Sequence, residues 1–202
     1  MAENYIDVYH LSHLHSSTLN MYNHRKAKYG FVGDHYMFWE PLSKKYLDNL
    51  DNLIPFKRIK EMTDEYVGAY VPWLFPNIGL AENEASWSTF VSIPLAPDKT
   101  KVIVRTKMEE MSNWEYLKQG FKSYSSWHGI MGNKTKYGGT PNEKSEDPME
   151  WNDFMEEDVY VCEQLQKSLK NPLFSIAATA EHRESPIRDF QKIIKKWMEL
   201  DN

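Results

Sequence analysis

The run Asp7-Val8-Tyr9-His10-Leu11-Ser12-His13-Leu14-His15 places three histidines and one carboxylate within nine residues. Imidazole and carboxylate groups both bind transition metals. Two imidazoles with one carboxylate form the facial triad of non-haem iron(II) sites, which leaves coordination positions open. A single histidine is an ordinary residue of intermediate burial, so the alternative is a helix whose histidines lie on its polar face. The density of the cluster favours a metal site.

The spacing of these residues leaves the pair of histidine ligands open. We predict a helix from about Asn4 into residues 16–18. On such a helix Asp7 lies beside His10 and can orient its imidazole ring through a hydrogen bond. His10 and His13 share a face, whereas His10 and His15 lie about 140° apart. His15 can join His10 only if the helix breaks or bulges between them, as helices do at some functional sites.

The segment from Glu3 to His15 resembles a known ligand motif. Its pattern is Glu-Asn-aromatic, then an acidic residue, two residues, His, four residues and His. This pattern resembles the ligand segment of Rieske-type aromatic-ring-hydroxylating oxygenase alpha (large) subunits. The resemblance implies that His10 and His15 bind iron. It also implies that Asp7 connects the iron site of one subunit to the Rieske cluster of its neighbour, and it places His13 in a variable spacer.

The third ligand is expected from a distant helix. Steps of three and four residues from Asp158 give an apolar stripe, which predicts that Asp158 begins the buried face of that helix; the stripe is Val161, Cys162, Leu165 and Leu169. A buried carboxylate is costly unless it is paired or binds a metal. Capping of the helix start is the alternative, but Glu156 and Glu157 can do this without burial. The stretch from Glu157 to Gln166 also resembles the carboxylate-ligand helix of the same family. We therefore predict Asp158 as the third ligand.

Composition excludes several classes of function. The net charge is −5 and the pI is near 5.8, which argues against nucleic-acid binding. The sequence has no apolar run of eighteen residues and no signal-peptide pattern, so we expect no membrane association. The single cysteine, Cys162, excludes an internal disulfide and predicts a reducing, cytoplasmic location.

The cysteine count also bears on electron supply. A Rieske [2Fe–2S] cluster needs two cysteines and two histidines, and these 202 residues contain one cysteine. The chain opens on the iron-ligand motif, where intact family members have already completed a Rieske domain. We therefore expect residues 1–202 to be a single mononuclear-iron catalytic domain without its N-terminal Rieske domain. Electrons would come from a cluster supplied in trans or from a missing domain.

The remaining patterns predict an α+β fold. Gly33-Asp34 between aromatic-rich runs predicts a β-hairpin, and further strand-like runs at 66–73, 87–95 and 101–106 predict an antiparallel sheet. Apolar residues at helical spacing predict two packed helices: Met111, Trp114, Leu117 and Phe121 in the first, and Ile187, Phe190, Ile194, Trp197 and Met198 in the second, with Ser185 as its N-cap and Pro186 at its first position. Serine, glycine and proline predict a variable loop over 122–149. The resemblance implies a helix-grip fold, a curved antiparallel sheet packed with helices around a pocket.

The expected function is oxygenation at an Fe(II) site formed by His10, His15 and Asp158. The resemblance implies O2 activation and hydroxylation of an organic substrate. An aromatic substrate is favoured because residue 7 is Asp rather than Glu. The resemblance also implies ferredoxin and reductase proteins as electron donors, and a homotrimer in the intact protein. The alternatives are an oxidative demethylase of the same family, a non-catalytic helix-grip module that binds an apolar ligand, and a zinc hydrolase. The last lacks an evident general base.

Overall fold

Seven strands form one antiparallel sheet in the computed structural model, which describes residues 1–60, 62–63, 65–131, 145–151 and 153–199. The spatial order is β1-β2-β3-β5-β6-β7, and the short β4 pairs with both β2 and β5. The strands are β1 Lys28–Val32, β2 His35–Pro41, β3 Gly68–Tyr70, β4 Trp73–Leu74, β5 Ile78–Glu82, β6 Ser86–Ala96 and β7 Lys99–Met108. The predicted antiparallel sheet is therefore confirmed.

The hairpin predicted at Gly33-Asp34 joins β1 to β2. Val32 pairs with His35 across a two-residue turn. Gly33 has a φ of 61°, a conformation that a residue without Cβ adopts without strain. The amide of Phe75 donates to Nδ1 of His35 at 3.1 Å, so this histidine belongs to the sheet.

The described residues also form seven α-helices. They are α1 Ala2–Ile6, α2 Leu11–Leu14, α3 Lys44–Leu47, α4 Leu50–Leu53, α5 Asn113–Ser126, α6 Phe154–Leu169 and α7 Ser185–Trp197. A π-helical turn, Trp127–Met131, continues α5, and short 3-10 turns lie at His24–Lys26 and Pro148–Glu150. Together with the sheet, these helices confirm the α+β class.

Two buried clusters hold the helices to the sheet. In the first, Tyr46, Leu53 and Trp127 pack together. In the second, Ile6 from α1 packs with Tyr36 and Trp73 from the sheet and Phe190 from α7. The second cluster fixes the start of the chain between the sheet and the last helix, and so positions the residues that follow Ile6.

The predicted loop over 122–149 is wrong at its start. Residues 122–131 are helical, because the last turns of α5 dock on α4 through polar groups. Ser123 Oγ donates to the carbonyl of Leu53, and Trp127 Nε1 donates to the same carbonyl at 2.9 Å. Residues 132–144 lie outside the described part of the chain, and a 3-10 turn occupies Pro148–Glu150 near the end of the range.

The predicted core residues of α5 lie on its solvent side. Trp114, Leu117 and Phe121 are 74%, 63% and 77% exposed. The helical spacing was right, but the docking face is the one that carries Gln119 and Ser123. Gln119 Nε2 donates to the carbonyls of Asp51 at 3.1 Å and Ile54 at 2.6 Å. Hydrogen bonding to the end of α4 therefore decides which face of α5 is covered.

The last helix follows the prediction only in part. Pro186 and Phe190 are buried, but Trp197 and Met198 are exposed at the end of the helix. The N-cap residue is Glu184, one position before the predicted Ser185, whose hydroxyl donates to the carbonyl of His182 instead. The helix ends beside the hairpin turn, where Trp197 Nε1 donates to Asp34 Oδ2 at 2.7 Å.

Candidate metal centre

The helix is interrupted between α1 and α2, so the prediction of a single helix from about Asn4 is wrong. Asp7 is extended, with φ −69° and ψ 119°. Its carboxylate accepts from the amides of Tyr9 at 2.8 Å and His10 at 3.3 Å. An aspartate that accepts from amides just ahead of it stabilises a turn in place of a helix. The break lets α2 begin at Leu11, with His10 as its N-cap, and sets the direction of this single turn.

The short helix α2 brings His10 and His15 to the same side of the chain. His10 is its N-cap, and His15 ends it with a non-helical φ of −96° and ψ of 27°. The two imidazole centroids lie 5.2 Å apart, with an angle of 73° between the rings. A regular helix would hold them about 140° apart. The irregularity that the His10–His15 pair requires is therefore present.

The third member of the site comes from α6. Asp153 caps this helix by accepting from the amide of Met155 at 2.9 Å, which places Asp158 near the first turn. Oδ1 of Asp158 lies 3.1 Å from Nε2 of His15 and 3.7 Å from Nε2 of His10. All three ligand atoms lie within 4.8 Å of one another.

This donor set fits a transition-metal ion. Metal bonds to imidazole nitrogen and carboxylate oxygen are about 2.0–2.2 Å long, so two neighbouring ligand atoms lie roughly 3 Å apart. The two Asp158 distances are close to that value. Two imidazoles with one carboxylate also match the facial triad of non-haem iron(II) sites. Asn4 Nδ2 donates to Asp158 Oδ1 at 3.1 Å and so helps to hold the carboxylate at the centre.

The site is buried on one side and accessible on the other. The side chain of His15 is 1% exposed, whereas those of His10 and Asp158 are 18% and 21% exposed. Burial alone would lower the pKa of His15. Its hydrogen bonds to Asp158 and Glu157, together with their charges, outweigh the burial and raise this pKa to about 9.

Asp7 lies against the outer side of His10. Its Oδ2 is 3.2 Å from Nδ1 of His10, whose other ring nitrogen faces Asp158. Partial burial raises the pKa of Asp7, but the hydrogen bond from His10 and those from the backbone amides outweigh it, so the pKa is lowered. An ionised carboxylate at this position fixes the tautomer of His10.

His13 is not part of the cluster. It is exposed, and its ring stacks on Tyr9 with centroids 5.2 Å apart. Its Nδ1 lies 3.2 Å from the carbonyl of Tyr9. Of the four candidate ligands in the opening run, the structure therefore brings His10 and His15 to Asp158 and leaves His13 outside.

Two expectations about α6 are wrong. Leu165 and Leu169 are exposed, so only the first part of the predicted apolar stripe, Val161 and Cys162, is half-buried. Glu157, which was expected at the surface, is 1% exposed. The covered face begins at Glu157 because its carboxylate is hydrogen-bonded to His15 and Thr18. Apolar spacing within α6 could not predict the burial of Glu157, since its two hydrogen-bond partners, His15 and Thr18, lie more than 130 residues earlier in the chain.

Residues 1–200 match the family described as "ring hydroxylating alpha subunit (catalytic domain)". This chain belongs to the ring-hydroxylating oxygenase alpha-subunit family. The match spans nearly the whole sequence and confirms the resemblance first seen in two short motifs. No curated protein matches the sequence.

Solved structures of Rieske monooxygenases support the fold. A quaternary ammonium Rieske monooxygenase, CntA, bound to an inhibitor has a TM-score of 0.59 at 12% identity; 97% of this chain aligns with 45% of that one. CntA with L-carnitine gives 0.54 at 13%, covering 97% and 44%. A third structure, described as revealing carnitine oxidation and inter-subunit electron transfer, gives 0.58 at 13%, covering 97% and 46%. The curved sheet with helices is thus that of Rieske oxygenase catalytic domains, and the chain spans less than half of each neighbour.

No helix in the described part of the chain is long and apolar enough to cross a membrane. An open cleft of about 490 Å³ is lined by residues 58–60, 62 and 63. None of these residues is His10, His15 or Asp158, so the cleft is separate from the candidate metal ligands.

Proposed function

We propose that this chain is the catalytic domain of an oxygenase that binds Fe(II) through His10, His15 and Asp158 and hydroxylates an organic substrate. The observation that supports this most directly is the convergence of the three ligand atoms within 4.8 Å. The ligands come from two segments about 140 residues apart in the sequence, so helix periodicity alone does not bring them together. Bound iron would activate O2 for insertion into the substrate.

The chain's own residues hold the iron and leave one side open. His10, His15 and Asp158 would hold the ion, and a set of two imidazoles and one carboxylate would leave coordination positions open for O2 and solvent. The partial exposure of His10 and Asp158 provides access from that side. Asn4 donates to Asp158 and limits its rotation. Because His15 is buried, the protein interior holds its imidazole in place on the side away from solvent.

Electrons must come from outside these 202 residues. A single cysteine cannot supply the thiolates of a Rieske cluster. We propose that a Rieske cluster delivers electrons in trans or from a further domain, with ferredoxin and reductase proteins behind it. A homotrimer of the intact protein would place a neighbouring cluster beside Asp7. One of the similar structures is described in terms of inter-subunit electron transfer, which supports this arrangement.

Asp7 offers a test of that electron route. Asp7→Asn should weaken iron binding by roughly 10–100-fold, because it removes the charge that orients His10. Two activities should be compared at saturating iron: NADH-driven turnover with a Rieske protein supplied in trans, and peroxide-driven turnover. We expect the first to fall far more than the second. Equal losses would mean that Asp7 only supports the iron site, and no loss in either would remove its role altogether.

The substrate remains a choice between two classes. Asp at position 7 favours hydroxylation of an aromatic ring, as in the catabolism of aromatic compounds. Oxidative demethylation is the second candidate, and the likeness to quaternary ammonium monooxygenases supports it. Product analysis separates them: a dihydrodiol or phenol from an aromatic compound, or formaldehyde from a methylated amine.

A non-catalytic module that binds an apolar ligand is the remaining alternative. It predicts protein that folds and binds its ligand without iron, with no response to loss of His10 or Asp158. We propose a cytoplasmic location because Cys162 is a free thiol.

A further inference from the structure

A second acidic residue lies behind the proposed iron site, and the metal-ligand set does not use it. Glu157 precedes Asp158 in α6 and is 1% exposed. A buried carboxylate is costly unless hydrogen bonds or opposite charges compensate for the loss of water. The contacts that compensate for the burial of Glu157 are those with His15 and Thr18.

Both contacts are made by the same carboxylate oxygen. Oε2 of Glu157 lies 2.7 Å from Nδ1 of His15 and accepts from the Thr18 hydroxyl at 2.8 Å. His15 is also 1% exposed, and Thr18 is buried. The other ring nitrogen of His15, Nε2, faces Oδ1 of Asp158 at 3.1 Å. The imidazole is thus held between consecutive carboxylates of one helix.

We propose that Glu157 is the positioning residue of His15 in the iron site, and that Thr18 holds the Glu157 carboxylate in place. The inference rests on the proposed iron-binding function. With Nδ1 donating to Glu157, the imidazole presents the lone pair of Nε2 towards the ion. A carboxylate partner of this kind fixes the tautomer and orientation of a metal-bound histidine and makes it a stronger ligand.

The two histidines then have different supports. His10 is held by Asp7, a partly exposed residue of its own segment, at 3.2 Å. His15 is held by a fully buried residue of α6 at 2.7 Å. Because Glu157 adjoins Asp158, a single helix turn provides one ligand and orients another. Glu157 therefore couples the N-terminal ligand segment to the carboxylate-ligand helix.

The test measures metal binding rather than turnover. Fe(II) affinity is determined anaerobically, and Co(II), used as a spectroscopic probe, reports the ligand geometry through its visible absorption. Glu157→Ala should weaken the binding of both ions by roughly 10–100-fold and change the Co(II) spectrum. Glu157→Gln keeps a hydrogen-bond acceptor but loses the charge, so we expect a smaller loss, below about 10-fold. Thr18→Val should also weaken binding, by less than Glu157→Ala.

Glu84 supplies a matched control. It too is a fully buried glutamate, and it accepts a hydrogen bond of 2.7 Å from the Tyr46 hydroxyl. Neither residue belongs to the group formed by His10, His15 and Asp158. Glu84→Gln should lower the free energy of unfolding without changing metal affinity or the Co(II) spectrum. This variant separates general destabilisation from loss of positioning. Circular dichroism verifies the fold of each protein before metal is added.

The outcomes distinguish this inference from the proposed function. If the unmodified protein binds neither Fe(II) nor Co(II), the iron-site proposal itself fails. If it binds metal and the Glu157 and Thr18 variants match it in affinity and spectrum, only the positioning role is overturned. Should Glu157→Ala fail to fold, Glu157→Gln and Thr18→Val decide. Weaker binding with an altered spectrum in both supports the role, and unchanged values in both refute it.

Discussion

Gly79 in β5 controls how closely the N-terminal segment packs on the sheet. A Cβ added at this position would lie 2.9 Å from Cζ and 3.1 Å from Cε2 of Tyr5, and 3.3 Å from Cε3 of Trp73. Favourable carbon–carbon contacts are about 3.5–4.0 Å, so Gly79→Ala requires a displacement of roughly 0.5–1 Å. Tyr5 immediately follows Asn4, which donates to Asp158. The substitution therefore acts on both packing and the metal centre.

The Tyr5 ring has little freedom to move away. Its hydroxyl donates to the carbonyl of Leu80, and its ring centroid lies 5.4 Å from that of Trp73 and 6.0 Å from that of Phe90. Overpacking a core costs about 1–3 kcal/mol. Replacing a strand glycine by alanine returns about 0.5–1 kcal/mol. We therefore expect Gly79→Ala to lower the free energy of unfolding by roughly 1–2 kcal/mol, and displacement of Asn4 to weaken iron binding by up to about 10-fold.

Gly30 is the matched control for this substitution. It lies in β1 of the same sheet, and a Cβ there would meet nothing within 4 Å. Gly30→Ala should be neutral or stabilising by up to about 1 kcal/mol. Denaturant unfolding of both variants and anaerobic iron titration give the two quantities. Equal stability and equal iron affinity for Gly79→Ala and the unmodified protein would refute the packing argument.

Three further predictions concern helix capping, pH and electron supply. Ser112→Ala should lower the free energy of unfolding by about 1 kcal/mol in denaturant titration, because Ser112 and Glu115 form the capping box of α5. Hydrogen bonds from Trp197 and Lys196 lower the pKa of Asp34 below its ordinary 3.8. These hydrogen bonds stabilise the fold above that value, and the stabilisation is lost as the pH falls through the lowered pKa of Asp34. The free energy of unfolding should therefore depend less on pH in this acidic range in Asp34→Asn. With NADH and a generic reductase alone the protein should not turn over repeatedly, whereas peroxide-driven turnover should persist; multiple NADH-driven turnovers without an added iron–sulfur protein would contradict this.

The sequence predicted those features that depend on local chemistry. Gly33 in a two-residue turn predicted the hairpin, and strand-like runs without intervening helices predicted the antiparallel sheet. The His10 and His15 pair came from a motif, because spacing on a regular helix favoured His13. The break that unites them depends on Asp7 accepting from the amides of Tyr9 and His10. A side chain that accepts from nearby amides replaces the hydrogen bonds of the helix backbone, and the spacing of apolar residues does not predict this.

The features that were missed depend on distant polar partners. Helical spacing in α5 identified an apolar face, but hydrogen bonds from Gln119 and Ser123 to the end of α4 cover the opposite one. In α6 the apolar stripe was centred about 100° from Glu157, whose burial depends on His15 and Thr18. A periodic pattern shows that a helix has two faces. Only the partners on other elements decide which face is buried.

Metal analysis of anaerobically purified protein tests the central claim most directly. We expect about one Fe(II) per chain, lost in each of His10→Ala, His15→Ala and Asp158→Ala. His13→Ala is the matched control, because this histidine lies in the same segment but outside the cluster, and it should retain iron. Retention of iron in His15→Ala together with its loss in His13→Ala would contradict the assignment.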